Sequence, residues 1–194
     1  MLHKQLRPAI VATLILMLIT GVAYPAVVTA IAQLVFPRQA GGSLVRGHDG
    51  RVVGSALIGQ QFTRPEYFHS RPSAAGTGYV DTLSGGTNRG PTDRKLADTL
   101  IAQAVDSAVK NDGAIRGYVP SDMVTSSGSG LDPHISPASA ELQIARVAMA
   151  RGASIAAIRS LVQQRIEPRQ FGVFGERRVN VLLLNMALDS AYRR

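Results

Sequence analysis

The chain has 194 residues and a net charge of +8, with 18% of residues charged, 5% aromatic and no cysteine. That length suits one domain plus an anchor, and the missing cysteines exclude disulfides, thiolate metal sites and a cysteine nucleophile. The basic residues are nearly all arginine, scattered in runs no longer than two, and with so few aromatics to stack bases on they speak against nucleic-acid binding.

Residues 1–7 form a short basic tail with Lys4 and Arg7. Residues 8–36 read as a transmembrane helix. No charged residue lies between Pro8 and Pro37, and about 20 apolar residues suffice to cross a bilayer core. An uncleaved anchor fits this better than a signal peptide, whose apolar region runs only about 7–15 residues. Pro25 should kink the helix, with threonine hydroxyls or neighbouring helices covering the freed carbonyl. Gly21, Ala23 and Ala26 offer a small-residue face for packing against other membrane helices. Lys4, Arg7 and the α-amino group place the N-terminus in the cytoplasm, so residues 37–194 form an extracytoplasmic domain.

That domain opens on a hairpin between Ser43 and Leu57, with Asp49-Gly50 between β-prone runs. Phe62, Tyr67 and Phe68 are the expected core aromatics of the turn-rich stretch that follows. Residues 76–91 are loop. Within it, Leu83-Ser84-Gly85-Gly86-Thr87 resembles the start of the ABC-transporter signature loop, which meets a nucleotide γ-phosphate. Ser84, Gly85 and Gly86 are therefore candidates for a nucleotide-proximal loop. Thr87 stands where that signature has glutamine. The chain also lacks a Gly-x-x-x-x-Gly-Lys-Ser/Thr phosphate loop, so it is not a complete nucleotide hydrolase of that class.

Four helices are expected. The first runs from Thr92, its cap, to Asp112, with Leu96, Leu100, Ile101, Ala104, Val105 and Ala108 on one face and Gly113 as its stop. The second runs from Pro137 to about Arg151, closed by Gly152. The third follows Ser154 and ends near Arg165. The last spans Val179 to Tyr192. The fold class is α+β: one N-terminal transmembrane helix, then a single soluble domain with an N-terminal β-hairpin and about four helices.

Small and turn-forming residues are densest from Val124 to Pro137. Gly128 and Gly130 free the backbone there. Asp132 before Pro133 favours a turn in which the carboxylate bonds backbone two residues on. Ser136 is a good N-cap, and Pro137 suits the first helical position. Asp132, His134 and Ser136 are candidates for a partner-facing surface. They also invite a hydrolase reading, but triad members converge from distant segments, which three alternating residues cannot easily do. His3, His48 and His69 share no metal-ligand spacing with His134.

Gly128-Ser-Gly-Leu-Asp-Pro-His-Ile-Ser-Pro137 resembles the signature of the C subunit of the Kdp potassium-transporting ATPase. Gly54 to Phe62, Tyr67-Phe68, Arg71 to Ala74, Ser84 to Thr92, Val119-Pro120 and Gly175 to Leu183 are similar to that family in the same order. The resemblance covers nearly the whole chain, membrane span included. It implies a non-catalytic accessory subunit of an ATP-driven potassium uptake complex in the bacterial inner membrane. The implied partners are a channel-like potassium-translocating subunit, a P-type ATPase catalytic subunit and a small single-span subunit. The implied role is to aid assembly and raise the catalytic subunit's affinity for ATP. The resemblance implies no tightly bound cofactor and leaves open that ATP acts through the complex. Consistent with this, the chain has no Asp-Lys-Thr-Gly-Thr phosphorylation motif. An extracytoplasmic domain cannot reach cytoplasmic ATP, so that topology calls for an indirect effect. The alternative is a free-standing, membrane-anchored solute-binding or hydrolase domain.

Overall fold

A computed structural model describes residues 2–192, with side chains from Lys4 onward. Met1, at the start of the expected tail, the His3 side chain, and Arg193 and Arg194 lie outside the described residues. The chain folds as two units, one ending at Leu44 and one beginning at Val45.

The first unit is helical: α1 (Leu2–Leu18), a π-helical turn (Ile19–Ala23), α2 (Tyr24–Val35) and the short α3 (Pro37–Ala40). Lys4–Val35 makes a continuous helical run of 32 residues containing an 18-residue window with a mean hydropathy of 2.2, long and apolar enough to cross a membrane. Pro8 lies inside α1, so the tail expected before it is helical too. The carbonyl left unpaired by Pro8 is that of Lys4, in the first turns of the helix, where solvent can serve it. Pro25, with no N–H to give, is accommodated by widening the turn before it. There the Tyr24 N–H donates to the Ile19 carbonyl, five residues back. The Thr20 hydroxyl donates to the Leu16 carbonyl at 2.7 Å, so the expected threonine contribution falls one turn earlier than the proline.

The paired strands β1 (Leu44–Arg46) and β2 (Val52–Ser55) come next in the chain. Their turn is closed by the Gly47 N–H on the Arg51 carbonyl at 2.8 Å. A long coil follows. The next helix begins at Arg94, passes through a π-helical stretch (Leu96–Ile101) and continues as α4 (Ala102–Asp112). Its cap is Asp93 rather than Thr92: the Asp93 carboxylate accepts the Leu96 N–H at 3.0 Å. Gly113, at φ +69°, ends it as expected. Of the six residues expected on its apolar face only Ala108 is buried, and Leu100 is 37% exposed. The helix therefore borders the core rather than entering it.

The remaining elements are α5 (Ser121–Val124), β3 (His134–Ile135), α6 (Pro137–Arg151), α7 (Ile155–Gln164), β4 (Ile166–Glu167), β5 (Arg178–Asn180) and α8 (Val181–Ala191). Ser136, Ser154 and Asn180 cap α6, α7 and α8 by accepting the N–H of Ser139, Ala157 and Leu183. Asn180 places the last helix at Val181, two residues later than expected, because Arg178–Asn180 is spent on a strand. That strand is the centre of an antiparallel sheet ordered β3-β5-β4, which pairs His134 with Asn180 and Ile166 with Val179. Phe68, Ile144, Val147, Ile158, Leu184 and Leu188 form the centre of the core. Of the expected aromatics, Phe68 is fully buried and Phe62 packs at its edge, its ring 5.6 Å from that of Tyr67.

Candidate functional site

The Gly128–Pro137 loop and the Ser84–Gly86 loop meet. The Gly85 N–H donates to the Ser129 carbonyl at 2.8 Å, and the Ser84 hydroxyl donates to the same oxygen at 3.1 Å. The approach is too close for side chains. A Cβ on Gly130 would stand 2.6 Å from the Gly85 carbonyl oxygen, and one on Gly86 would stand 3.1 Å from that of Gly128. Gly130 also has φ +68°, which glycine adopts without strain. Glycine here serves backbone-to-backbone packing, and the two glycine-rich segments form one layer. Ser73 reinforces it, its hydroxyl donating to the Gly130 carbonyl at 2.6 Å.

From there the chain turns at Asp132 and Pro133. The Asp132 carboxylate accepts the His134 N–H at 3.0 Å, the bond two residues on that the sequence called for. Its other oxygen meets the Arg71 guanidinium at 3.1 Å. On its far side the His134 ring lies 3.3 Å from Asp132 through Nδ1 and 3.7 Å from Glu167 through Nε2. Glu167 in turn pairs with Arg178 at 2.9 Å. A line of five groups thus runs Arg71, Asp132, His134, Glu167, Arg178, joining the coil, the loop and three strands. Burial opposes the charge on Asp132. The bonds from the His134 ring and backbone, with the Arg71 cation, outweigh it and hold the carboxyl below its ordinary range.

Ser136 faces elsewhere. Its hydroxyl donates to Asp122 Oδ1 at 2.9 Å and its N–H to Asp122 Oδ2 at 2.6 Å. Ser139 donates to the same carboxylate at 2.7 Å. Asp122 thereby ties α5 to the start of α6. Ser136 has no bond to His134, and its proton is committed to a carboxylate that belongs to the cap. Asp132, His134 and Ser136 are gathered in one place but are not aligned as nucleophile, base and orienter. Together with Arg71, Arg177 and Arg178 they line a shallow cleft of about 340 Å³. Among the described residues no group of three or more metal-ligating side chains could hold an ion.

The remaining candidates lie in the first unit. Gly21 and Ala23 fall in the π-helical turn and Ala26 in α2, all exposed. A Cβ on Gly21 would meet nothing within 4 Å.

Sequence reasoning missed the polar framework that holds the coil from Pro65 to His69. Gln143 and Asn185, both buried, hold the coil by its backbone. Asn185 accepts the Phe68 N–H at 2.8 Å and donates to the Phe68 carbonyl at 3.0 Å. Gln143 does the same for His69, at 2.7 and 3.2 Å. Arg146 donates to the Pro65 and Tyr67 carbonyls at 2.7 and 2.8 Å, and pairs with Asp112 at 2.7 Å. Each supplies the bonds a neighbouring strand would give. The available signal was polar residues on the otherwise apolar faces of α6 and α8.

These features define a protein with one membrane-length helix joined to a small α+β domain, whose loop cleft is built on structural bonds. The sequence model described as "KdpC: K+-transporting ATPase, c chain" matches residues 6–190, and the chain belongs to that family. A potassium-transporting ATPase KdpC subunit of Gemmatimonas aurantiaca is 62% identical over 96% of this chain and 93% of its own length. Those of Rhodospirillum rubrum and Myxococcus xanthus are 52% and 54% identical, over 97% and 91% of this chain and 97% and 83% of theirs. The chain is thus a subunit of a potassium-transporting ATPase.

Proposed function

We propose that this chain is a non-catalytic subunit that aids assembly of an ATP-driven potassium uptake complex and raises the ATP affinity of its catalytic subunit. Its partners are a channel-like potassium-translocating subunit, a P-type ATPase subunit and a small single-span subunit. Family membership over nearly the whole chain is the observation that carries the reading. The bonding of Ser136 to Asp122 supports it, since that hydroxyl is engaged in holding a helix start.

In this reading the N-terminus is cytoplasmic, the span lies in the bacterial inner membrane, and the domain is extracytoplasmic. The effect on ATP is then indirect, passing through partner subunits. Gly21, Ala23 and Ala26 form the face that packs on partner helices, and the cleft around Asp132, His134 and Ser136 is the domain's partner-facing surface. For Ser84, Gly85 and Gly86 to meet a phosphate directly, Ser84 and Gly85 would first have to give up Ser129.

Isolation in mild detergent tests the assignment. The three partner subunits should co-purify with the chain, and Gly21→Leu should lower their recovery. A chain that purifies alone contradicts the reading. Protease added to intact spheroplasts should degrade the domain; protection until lysis reverses the topology.

A further inference from the structure

The connection between β4 and β5 ends in a narrow hairpin with apolar side chains at its tip. Phe171 is 94% exposed, Val173 68% and Phe174 65%. Scattered apolar residues on a surface are ordinary, but three large ones within four positions on a projecting turn are not. The turn is tightly built. Gln170 and Phe174 exchange both backbone bonds at 2.9 Å, and Arg169 grips both oxygens of Glu176 at 2.7 and 2.9 Å across the base. Phe171 itself sits at φ +53°, a left-handed conformation that bulky residues rarely adopt. A frame that holds aromatic side chains out in water is preorganised for an apolar environment.

We propose that this tip inserts into the lipid bilayer surface, with its apolar side chains below the headgroups and Arg165 and Arg177 against anionic lipid. Three observations favour lipid. The tip is convex and narrow, a shape that a deformable bilayer accepts without a preformed cavity. Arg165 and Arg177 flank it, both exposed, and the chain as a whole carries +8, matching an anionic surface. The tether is short: only Phe36 to Ser43 lies between the end of the apolar helix and the first strand. At roughly 3.5 Å per residue or less, that keeps the start of the domain within about 30 Å of the membrane, where even weak insertion is favoured by proximity.

The chain contains no tryptophan, so one placed at the tip is a unique reporter. Full-length chain carrying Phe171→Trp, and separately Phe174→Trp, is reconstituted into vesicles of phosphatidylcholine and phosphatidylglycerol. Each is measured alone and as the isolated complex returned to the same lipid. Met149→Trp, at a position 82% exposed on α6, is the control. Tip emission should shift to the blue, lose most of its intensity when the acyl chains are brominated, and resist acrylamide, in both preparations. The control should do none of these. Arg177→Glu should reduce the quenching in phosphatidylglycerol vesicles. Three outcomes overturn the proposal: tip emission that stays red and open to acrylamide; equal quenching of tip and control; or a blue shift confined to the complex and indifferent to bromine, which assigns the tip to a protein partner.

Discussion

In the helix layer, α6, α7 and α8 bring Ile144, Val147, Ile158, Leu184 and Leu188 together, none more than 1% exposed. The coil beside it, from Arg64 to Ser70, gives only Phe68 to the buried core. The two regions hold their shape by different means. The helices satisfy their own backbones and gain stability by burying apolar surface. The coil has no strand or helix to satisfy it, so Gln143, Asn185 and Arg146 supply the missing bonds from the helices. The domain shows that the backbone polar groups of a segment without regular structure can be answered one by one by side chains from neighbouring helices.

The largest expected effect breaks the polar side of that comparison. Arg146→Ala removes the cation from a pair whose side chains are 7% and 5% exposed and strips two coil carbonyls of their donor. It should cost about 3–5 kcal/mol, since a buried carboxylate is left unpaired. Leu184→Ala, on the apolar side, should cost about 2–5 kcal/mol. Urea unfolding of both variants measures the two. A loss for Arg146→Ala of less than about 0.5 kcal/mol, the size of a surface change, would show that the coil is held by something else.

The glycine layer gives a sharper contrast. Gly130→Ala meets the Gly85 oxygen at 2.6 Å and the Ala75 nitrogen at 2.7 Å, while a Cβ on Gly128 meets nothing within 4 Å. Gly130→Ala should therefore destabilise by about 1–3 kcal/mol, with faster proteolysis near Ser84, and Gly128→Ala should be almost silent. Equal behaviour of the two would remove the packing argument.

A smaller effect depends on pH. Burial and the nearby Arg146 cation hold His69 below its ordinary 6.5, against the pull of its bond to the Arg64 carbonyl. The unfolded chain therefore takes up that proton first. Stability should be full above pH 6.5 and decline as pH falls below it, and His69→Gln should flatten that decline. The Asp132 carboxyl is held below its ordinary 3.8. Its contribution remains above that pH and is lost as pH falls through the folded value, so Asp132→Asn should lower stability at neutral pH and flatten the acid limb, the two proteins converging in acid. Parallel curves for wild type and His69→Gln would contradict this.

The same contrast explains what the sequence made legible. The caps at Ser136 and Ser154, the stops at Gly113 and Gly152, the hairpin turn and the Asp132 turn were all readable. Each depends on a few consecutive residues. The family and the membrane-length helix were readable because they are written along the whole chain. The β3-β5-β4 sheet was not, because its strands are two or three residues long and come from positions 134, 166 and 178. Too short to show alternation, they are defined by their partners. Gln143, Asn185 and Arg146 were missed because a polar residue on a helix resembles a solvated face until its partner is known. The cap falls at Asp93, one residue after the expected Thr92, a displacement of the kind helix ends invite. The meeting of Ser84–Gly86 with Gly128–Gly130 could have been suspected, since two glycine-rich segments of one domain can approach closely.

His134 offers the most direct test of the account as a whole, since it sits between Asp132 and Glu167 with no link to Ser136. Potassium-stimulated ATP hydrolysis by the assembled complex carrying His134→Ala is measured across ATP concentrations, beside the melting temperature of the chain. The account predicts a near wild-type melting temperature with a higher half-saturating ATP concentration or poorer recovery of the complex. Wild-type ATP dependence together with full assembly would contradict it.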